Sequence, residues 1–211
     1  LRGFGPLGII AILVILAGNF LIAPLGAFLV LVWAWRSQTP WREIGYLRPR
    51  HWAVTIVVGL TFGIAFKFLM KMIVMPLLGA PPVNQAFHYL TGNRAALPGA
   101  IFMMIVVAGF GEETLFRGYL FERLSKLLGS GGWAKTLIVL LTSVWFGLLH
   151  YPVQGLAGAE QALITGLVFG TIMVATWRLP LLMIAHAAFD LTAVGMIYWD
   201  LETKVAHLIF K

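Results

Sequence analysis

The sequence predicts an all-α protein, a polytopic transmembrane helical bundle of about six to seven membrane helices. Three observations carry that prediction. Of 211 residues, 60% are hydrophobic and only 11% are charged, against about 25% charged in a soluble domain. The apolar residues fall into runs long enough to cross a bilayer. No run alternates with the period of two that a strand would need, and an open sheet edge has no place in lipid. A single integral membrane domain, 1–211, accounts for the whole chain, with 98–199 as its catalytic core.

The first apolar run, Pro6 to Trp35, is interrupted only by Asn19 and Pro24. It is too long for a signal-peptide core, and half of it is too short to cross. One tilted helix kinked near Gly18–Pro24 is the preferred reading, with a re-entrant segment as the alternative. The chain opens on Leu1 rather than Met, which implies a trimmed or processed start and leaves room for a further span ahead of it. Arg36 to His51 then holds Arg36, Arg42, Arg48 and Arg50 against Glu43. The positive-inside rule makes this loop cytoplasmic, with Trp33, Trp35, Trp41 and Trp52 as interfacial aromatics.

The second span is Trp52 to Leu78. Its Gly59 and Gly63 form a small-xxx-small face for a neighbouring helix. Lys67 and Lys71 lie one turn apart near its far end. Snorkelling to the interface is the preferred reading for both, and lining a polar cavity is the alternative. Gly79-Ala-Pro-Pro82 ends the span, and a polar loop leads to Pro98. The third span runs from Pro98 to about Leu128 and ends in Glu122, Arg123 and Lys126, before the turn Gly129-Ser-Gly-Gly132. Trp133 to His150 is the fourth span, closed by Tyr151-Pro152. A small-residue loop, Gln154 to Ala159, precedes the fifth, about Glu160 to Trp177, with Gly166 and Gly170 as a second small-residue face. Leu181 to Trp199 is the sixth span.

The net charge of +7 belongs to the ends of the spans, where basic side chains set orientation and meet lipid head groups. No basic patch with interleaved aromatics lies outside a span, so nucleic acid is not a partner. There are no cysteines, which excludes disulfides, thiolate metal sites and a cysteine nucleophile.

The third span carries Gly109-Phe-Gly-Glu-Glu-Thr-Leu-Phe-Arg-Gly-Tyr-Leu-Phe121. A charge at the bilayer centre costs about 2.5–3.5 kcal/mol on insertion scales, and such residues usually face a protected interior with a task. Glu113 and Arg117 are spaced i, i+4, which suits an ion pair. Glu112 points about 100° away from Glu113 and has no partner in its own helix. It is therefore the candidate general base, with Glu113 as its support. His150 closes the fourth span in Phe146-Gly-Leu-Leu-His150. His186 and Asp190 share a face of the sixth. Counted from the basic loops at 1.5 Å per residue, Glu112 lies about 16 Å deep, His150 about 22 Å and His186 about 12 Å. The three positions fit one layer, and the topology permits a single site.

Taken singly, each feature has a structural explanation: a packing histidine, a helix-bridging bond, a buried ion pair. Together, three polar clusters on three helices suit hydrolysis by an activated water. A carboxylate takes the proton, a histidine positions the water or protonates the leaving amine, and a further polar group meets the oxyanion. There is no Gly-x-Ser-x-Gly and no His-Glu-x-x-His. With only two aspartates, an aspartyl dyad is a poor fit as well.

Glu112-Glu113-x-x-x-Arg117, Phe146-x-x-x-His150 and His186-x-x-x-Asp190 resemble, in that order, the three motifs of the CPBP family. That family holds the type II CAAX prenyl proteases and the bacteriocin-processing or self-immunity (Abi) membrane proteins. The likeness covers about residues 98 to 199. It implies an intramembrane endopeptidase of a plasma membrane, in bacteria the inner one, whose site opens toward the cytoplasm. Its substrate would be a peptide or protein C-terminus, prenylated in the eukaryotic members, which lose a C-terminal tripeptide. By motif, Glu112 would activate the water and His150 and His186 would assist, supported by Glu113, Arg117 and Phe146. Many members have Asn at the last motif position. Asp190 cannot donate to an oxyanion when ionised, so orienting His186 or binding a metal suits it better. The family's metalloprotease label makes zinc on Glu112, His150 and His186 one reading. A metal-free glutamate-activated water uses the same residues and is preferred. The competing functions are a non-catalytic immunity or scaffold protein and a proton-coupled transporter. Against the transporter, no inverted repeat is visible.

Overall fold

The computed structural model describes residues 1–21 and 24–210, and among them the chain is helical, without strands. We number the helices α1 (Pro6–Leu21), α2 (Leu25–Arg36), α3 (Trp52–Leu77), α4 (Leu97–Leu128), α5 (Gly132–Thr176), α6 (Leu179–Tyr198) and α7 (Glu202–Ala206). Short 3₁₀ turns at Trp41–Ile44 and Gln85–Leu90 lie in the loops. Four helices, α3 to α6, are long and apolar enough to cross a membrane.

The first apolar run is a hairpin, not one tilted helix. At 1.5 Å per residue α1 and α2 measure about 24 and 18 Å, each short of a hydrocarbon core of about 30 Å. They pack side by side. A Cβ on Gly26 would sit 2.8 Å from the Asn19 Cβ, so only glycine allows this approach. The Trp33 indole donates to the Leu1 carbonyl at 3.1 Å, which places the start of α1 beside the end of α2. α2 starts directly after Pro24, whose carbonyl accepts from the Ala27 amide at 3.0 Å. The run thus enters and leaves at one end of the bundle.

α5 reverses as well. Pro152 does not end the helix, which runs on to Gly155, where φ 65° and ψ −164° break it. This backbone is open to glycine and strained for other residues. The expected loop from Gln154 to Ala159 therefore shrinks to one residue. The two limbs pack antiparallel: Gly147 faces Leu163, Gly166 faces Ser143 and Gly170 faces Val139. With α5 counted as two limbs, five limbs among the described residues are of crossing length, against the six or seven expected.

α6 lies at the centre, between α3 and α4. A Cβ on Gly63 would overlap the Ala185 carbonyl oxygen and lie 2.8 Å from the Ala188 Cβ. On the other side, Gly109 of α4 meets Ala187 in the same way, at 2.9 Å. Such glycine faces let backbones approach where lipid offers no hydrophobic drive. Apolar cores flank α4. One joins Val30, Trp33, Phe116 and Tyr119 under the hairpin, and the other joins Phe66, Phe121, Phe169 and Phe189.

The basic loops collect at one end. Trp177 donates to the Arg42 carbonyl at 2.8 Å, the Leu179 amide to the Gly45 carbonyl at 2.9 Å, and Arg123 to the Arg2 carbonyl at 2.7 Å. Arg2 pairs with Glu43. Just inside this end Tyr46 meets Thr114 at 2.7 Å, while Thr114 donates to the Phe110 carbonyl at 2.6 Å. Burial pushes the Tyr46 phenol up to about 12, which keeps it a donor to Thr114.

Candidate active site

α4 is continuous, but its turns from Met103 to Leu120 are widened to π-type, i→i+5 bonding. Such turns are rare and concentrate at functional sites. With more than four residues per turn, neighbouring side chains diverge by less than the about 100° of an α-helix. Glu112 and Glu113 consequently both reach the same histidine of α6.

Glu113 is fully buried, and its Oε1 accepts two bonds. Arg117 Nη1 donates to it at 2.9 Å and His186 Nδ1 at 2.7 Å. Arg117, 2% exposed, sits among aromatic rings, its guanidinium carbon 4.7 Å from the Phe146 centroid, 5.7 Å from Phe169 and 6.0 Å from Phe116. Ring faces attract a cation without needing water. One carboxylate and three rings together make a buried guanidinium tenable in an apolar span.

The other nitrogen of His186, Nε2, faces two carboxylates. Asp190 Oδ2 is 3.4 Å away and Glu112 Oε2 is 3.8 Å away. These carboxylates are about one-fifth to one-quarter exposed, unlike Glu113. Glu112 Oε2 has no hydrogen-bond partner among the described residues. The partner that orients His186 is thus Glu113. Asp190, expected to orient His186, meets the opposite ring nitrogen from Glu113. His150 is half-buried. Its Nδ1 lies 2.8 Å from the Phe146 carbonyl, which can only accept, so Nδ1 carries the proton and Nε2 is left free. Its ring rests on Phe146 at 4.5 Å.

Glu112, Phe146, His150, His186 and Asp190 all line one cavity of about 820 Å³. Glu113 and Arg117 lie behind its wall. Asn19 and Pro24 of the hairpin contribute to the lining, as do Lys67 of α3 and Asn84, Phe87 and Tyr89 of the following loop. None of the basic loops contributes. The opening was expected at the basic end, but the loop-borne lining comes from the opposite one. Phe116, Phe146 and Phe169, packed on Arg117, stand between the cluster and the basic loops.

Sequence reasoning gave Lys67 and Lys71 to the interface, and both turn inward. Lys67 is 6% exposed and donates to Gln161 Oε1 at 3.0 Å. Lys71 pairs with Glu202 at 2.7 Å. The signal for Lys67 was its depth: it shares a helix face with Gly63, and a face that packs on a helix cannot also face lipid. Gln161, an amide within an apolar run, carried a similar signal.

Among the described residues, no three His, Cys, Asp or Glu side chains are placed to hold one metal ion. In the zinc set Glu112, His150 and His186, Nδ1 of His186 is held by Glu113 and Nδ1 of His150 by a backbone carbonyl, so each histidine presents Nε2 to the cavity. What the arrangement can do is hold a water beside Glu112 and polarise a carbonyl next to it.

Residues 94–192, the stretch that contains this cluster, match the family described as Type II CAAX prenyl endopeptidase Rce1-like. No curated protein and no solved structure matches the chain.

Proposed function

We propose that this chain, whose residues 94–192 form a domain of the type II CAAX prenyl endopeptidase (CPBP) family, is an intramembrane endopeptidase that hydrolyses a peptide bond with a glutamate-activated water. The family is a protease family, and the chain has four helices suited to a membrane. The observation that carries the mechanism is the relay Arg117–Glu113–His186, which ends beside a Glu112 left open to the cavity.

In this reading Glu112 takes a proton from a water, and the oxygen attacks the scissile carbonyl carbon. His186 acts as the imidazolium: Nδ1–H is held by Glu113, and Nε2–H donates to the oxyanion that develops. Asp190 holds the same Nε2 from below and is not itself an oxyanion donor. His150 accepts from the water through Nε2 and so fixes its direction of attack. When the C–N bond breaks, the proton held by Glu112 passes to the leaving amine. Glu113 and Arg117 position these groups from behind the cavity wall, and Phe146 supports the His150 ring from the wall itself. The substrate is a peptide or protein C-terminus, with a prenyl chain or an apolar leader suited to the cavity's apolar wall. The catalytic core is 98–199. The basic loops lie on the cytoplasmic face of the plasma membrane, and the substrate arrives from the other end of the cavity.

The test uses purified wild type and Glu112→Ala, a prenylated CAAX peptide and a leader-peptide library, each with and without chelator. Cleavage by wild type and its loss in the variant are the expected results. A wild type that cleaves nothing, while Glu112→Ala still protects cells or carries protons, overturns the protease reading in favour of an immunity protein or a transporter.

A further inference from the structure

Lys67 is a buried cation that the chemistry above does not use. Its ammonium bonds the neutral Gln161 at 3.0 Å and lies 4.7 Å from the Phe189 ring centroid. Among the described residues no carboxylate lies within ion-pair distance of it. A buried charge without a counter-charge is costly, and such groups normally pair. Lys71, one turn on, shows the alternative. It is neutralised by Glu202, which also accepts from the Asn84 amide at 3.2 Å.

The place of Lys67 is also distinctive. A side pocket of about 240 Å³ opens off the main cavity, and the two share Lys67, Asn84, Gln154 and Gln161 in their linings. Lys67 therefore stands at the throat between them. The carboxylates of the main cavity, Glu112 and Asp190, gather at His186. An anion that enters is repelled from that cluster and drawn to Lys67. Gln161 accepts the Lys67 hydrogen bond through Oε1, so its amide nitrogen remains to donate beside the ammonium.

We infer that Lys67, with Gln161, receives the free C-terminal carboxylate of the peptide, the residues beyond the scissile bond spanning the main cavity from Glu112 to the throat and the last side chain entering the side pocket. This rests on the peptidase reading and adds the substrate's polarity to it: the C-terminus sits at the throat and the bond to be cut sits at Glu112. A peptide whose C-terminus is free should be preferred to the same peptide capped as an amide.

The probes are an S-farnesyl heptapeptide with a free C-terminal carboxylate and its C-terminal amide. Their kcat/KM ratio is measured on wild type, and their Kd ratio on Glu112→Gln protein, where binding is read without turnover. The expected acid-to-amide ratio is about tenfold or more in both measurements, as a charge-assisted pair in a dry site supplies. Lys67→Met, which keeps the length and apolar packing of the stem, should bring the ratio to about one. Gln161→Glu gives Lys67 an internal counter-ion, protects the fold and should do the same. A wild-type ratio near one, or a ratio that survives both substitutions, overturns the inference. Cleavage without acid preference sinks this inference and leaves the peptidase reading standing. Acid-selective binding with no cleavage of any peptide does the reverse.

Discussion

Glu113 of α4 and His186 of α6 share a 2.7 Å hydrogen bond, and the carboxylate oxygen that accepts it also accepts from Arg117 at 2.9 Å. One buried atom therefore ties the first sequence motif to the last. Removing a single partner from such a buried pair costs about 3–5 kcal/mol. Glu113→Gln should lower thermal stability in detergent by that order and cut peptide cleavage steeply. Adding Arg117→Met to Glu113→Gln should return part of the stability, because the orphaned cation is gone, but no activity. Unfolding curves and kcat/KM on the same preparations check both. Restored cleavage in the double variant would show that Glu113 does not position His186.

Glu112 behaves in the opposite way. Its Oε2 has no partner among the described residues, so Glu112→Gln removes a charge without orphaning another. Stability should stay level or rise, while cleavage drops by about 10²–10⁴, the usual worth of a general base. A drop in melting temperature comparable to that of Glu113→Gln would contradict this division of labour.

Gly63 and Gly99 provide a matched pair within helices. A Cβ on Gly63 overlaps the Ala185 carbonyl, whereas one on Gly99 meets nothing within 4 Å. Gly63→Ala should destabilise by about 1–3 kcal/mol, the range for overpacking. Gly99→Ala should stabilise by up to about 1 kcal/mol, the helix-propensity difference. Equal effects would mean that α3 and α6 do not pack through this face.

The absence of native cysteines makes the direction of the cavity measurable. Val153 is 71% exposed at the corner of α5 and lines the cavity, while Leu127 is 63% exposed at the basic end. Single cysteines at these positions should react with a membrane-impermeant maleimide from opposite faces. Only the label at Val153→Cys should block cleavage. Labelling of both from one face would reject the placement of the mouth.

Because no three ligand side chains converge among the described residues, cleavage should persist in phenanthroline and in EDTA. Metal analysis of the pure protein gives a second readout. One zinc per chain, lost together with activity and restored with it, would reject this expectation.

The chemistry was the most legible part of the sequence. Glu112, Glu113 and Arg117 stand out because charge in an apolar run has few structural uses, and the i, i+4 spacing identified the ion pair directly. The hairpin was legible only as the alternative of a re-entrant segment, since Pro6 to Trp35 has the length of a tilted span and hydropathy does not record where a chain turns back. The widened turns of α4 have no residue signature either, and they bring Glu112 and Glu113 to the two sides of one imidazole. Spacing placed Asp190 near His186 without saying which nitrogen it meets, and that nitrogen is Nε2. Lys67 shows the same limit. A lysine near the end of a span looks the same in sequence whether its stem follows lipid or a cavity.

The matched stretch, 94–192, contains Glu112, His150 and His186, yet Asn19, Pro24 and Lys67 on the cavity wall lie ahead of it. In the proposed reading the reaction falls to the matched stretch, and part of the selection falls to residues ahead of it. Relatives could keep one engine and change the keyhole by redrawing only the first third. Grafting that third between two such proteins should move the preferred peptide while leaving the bond-breaking step where it was.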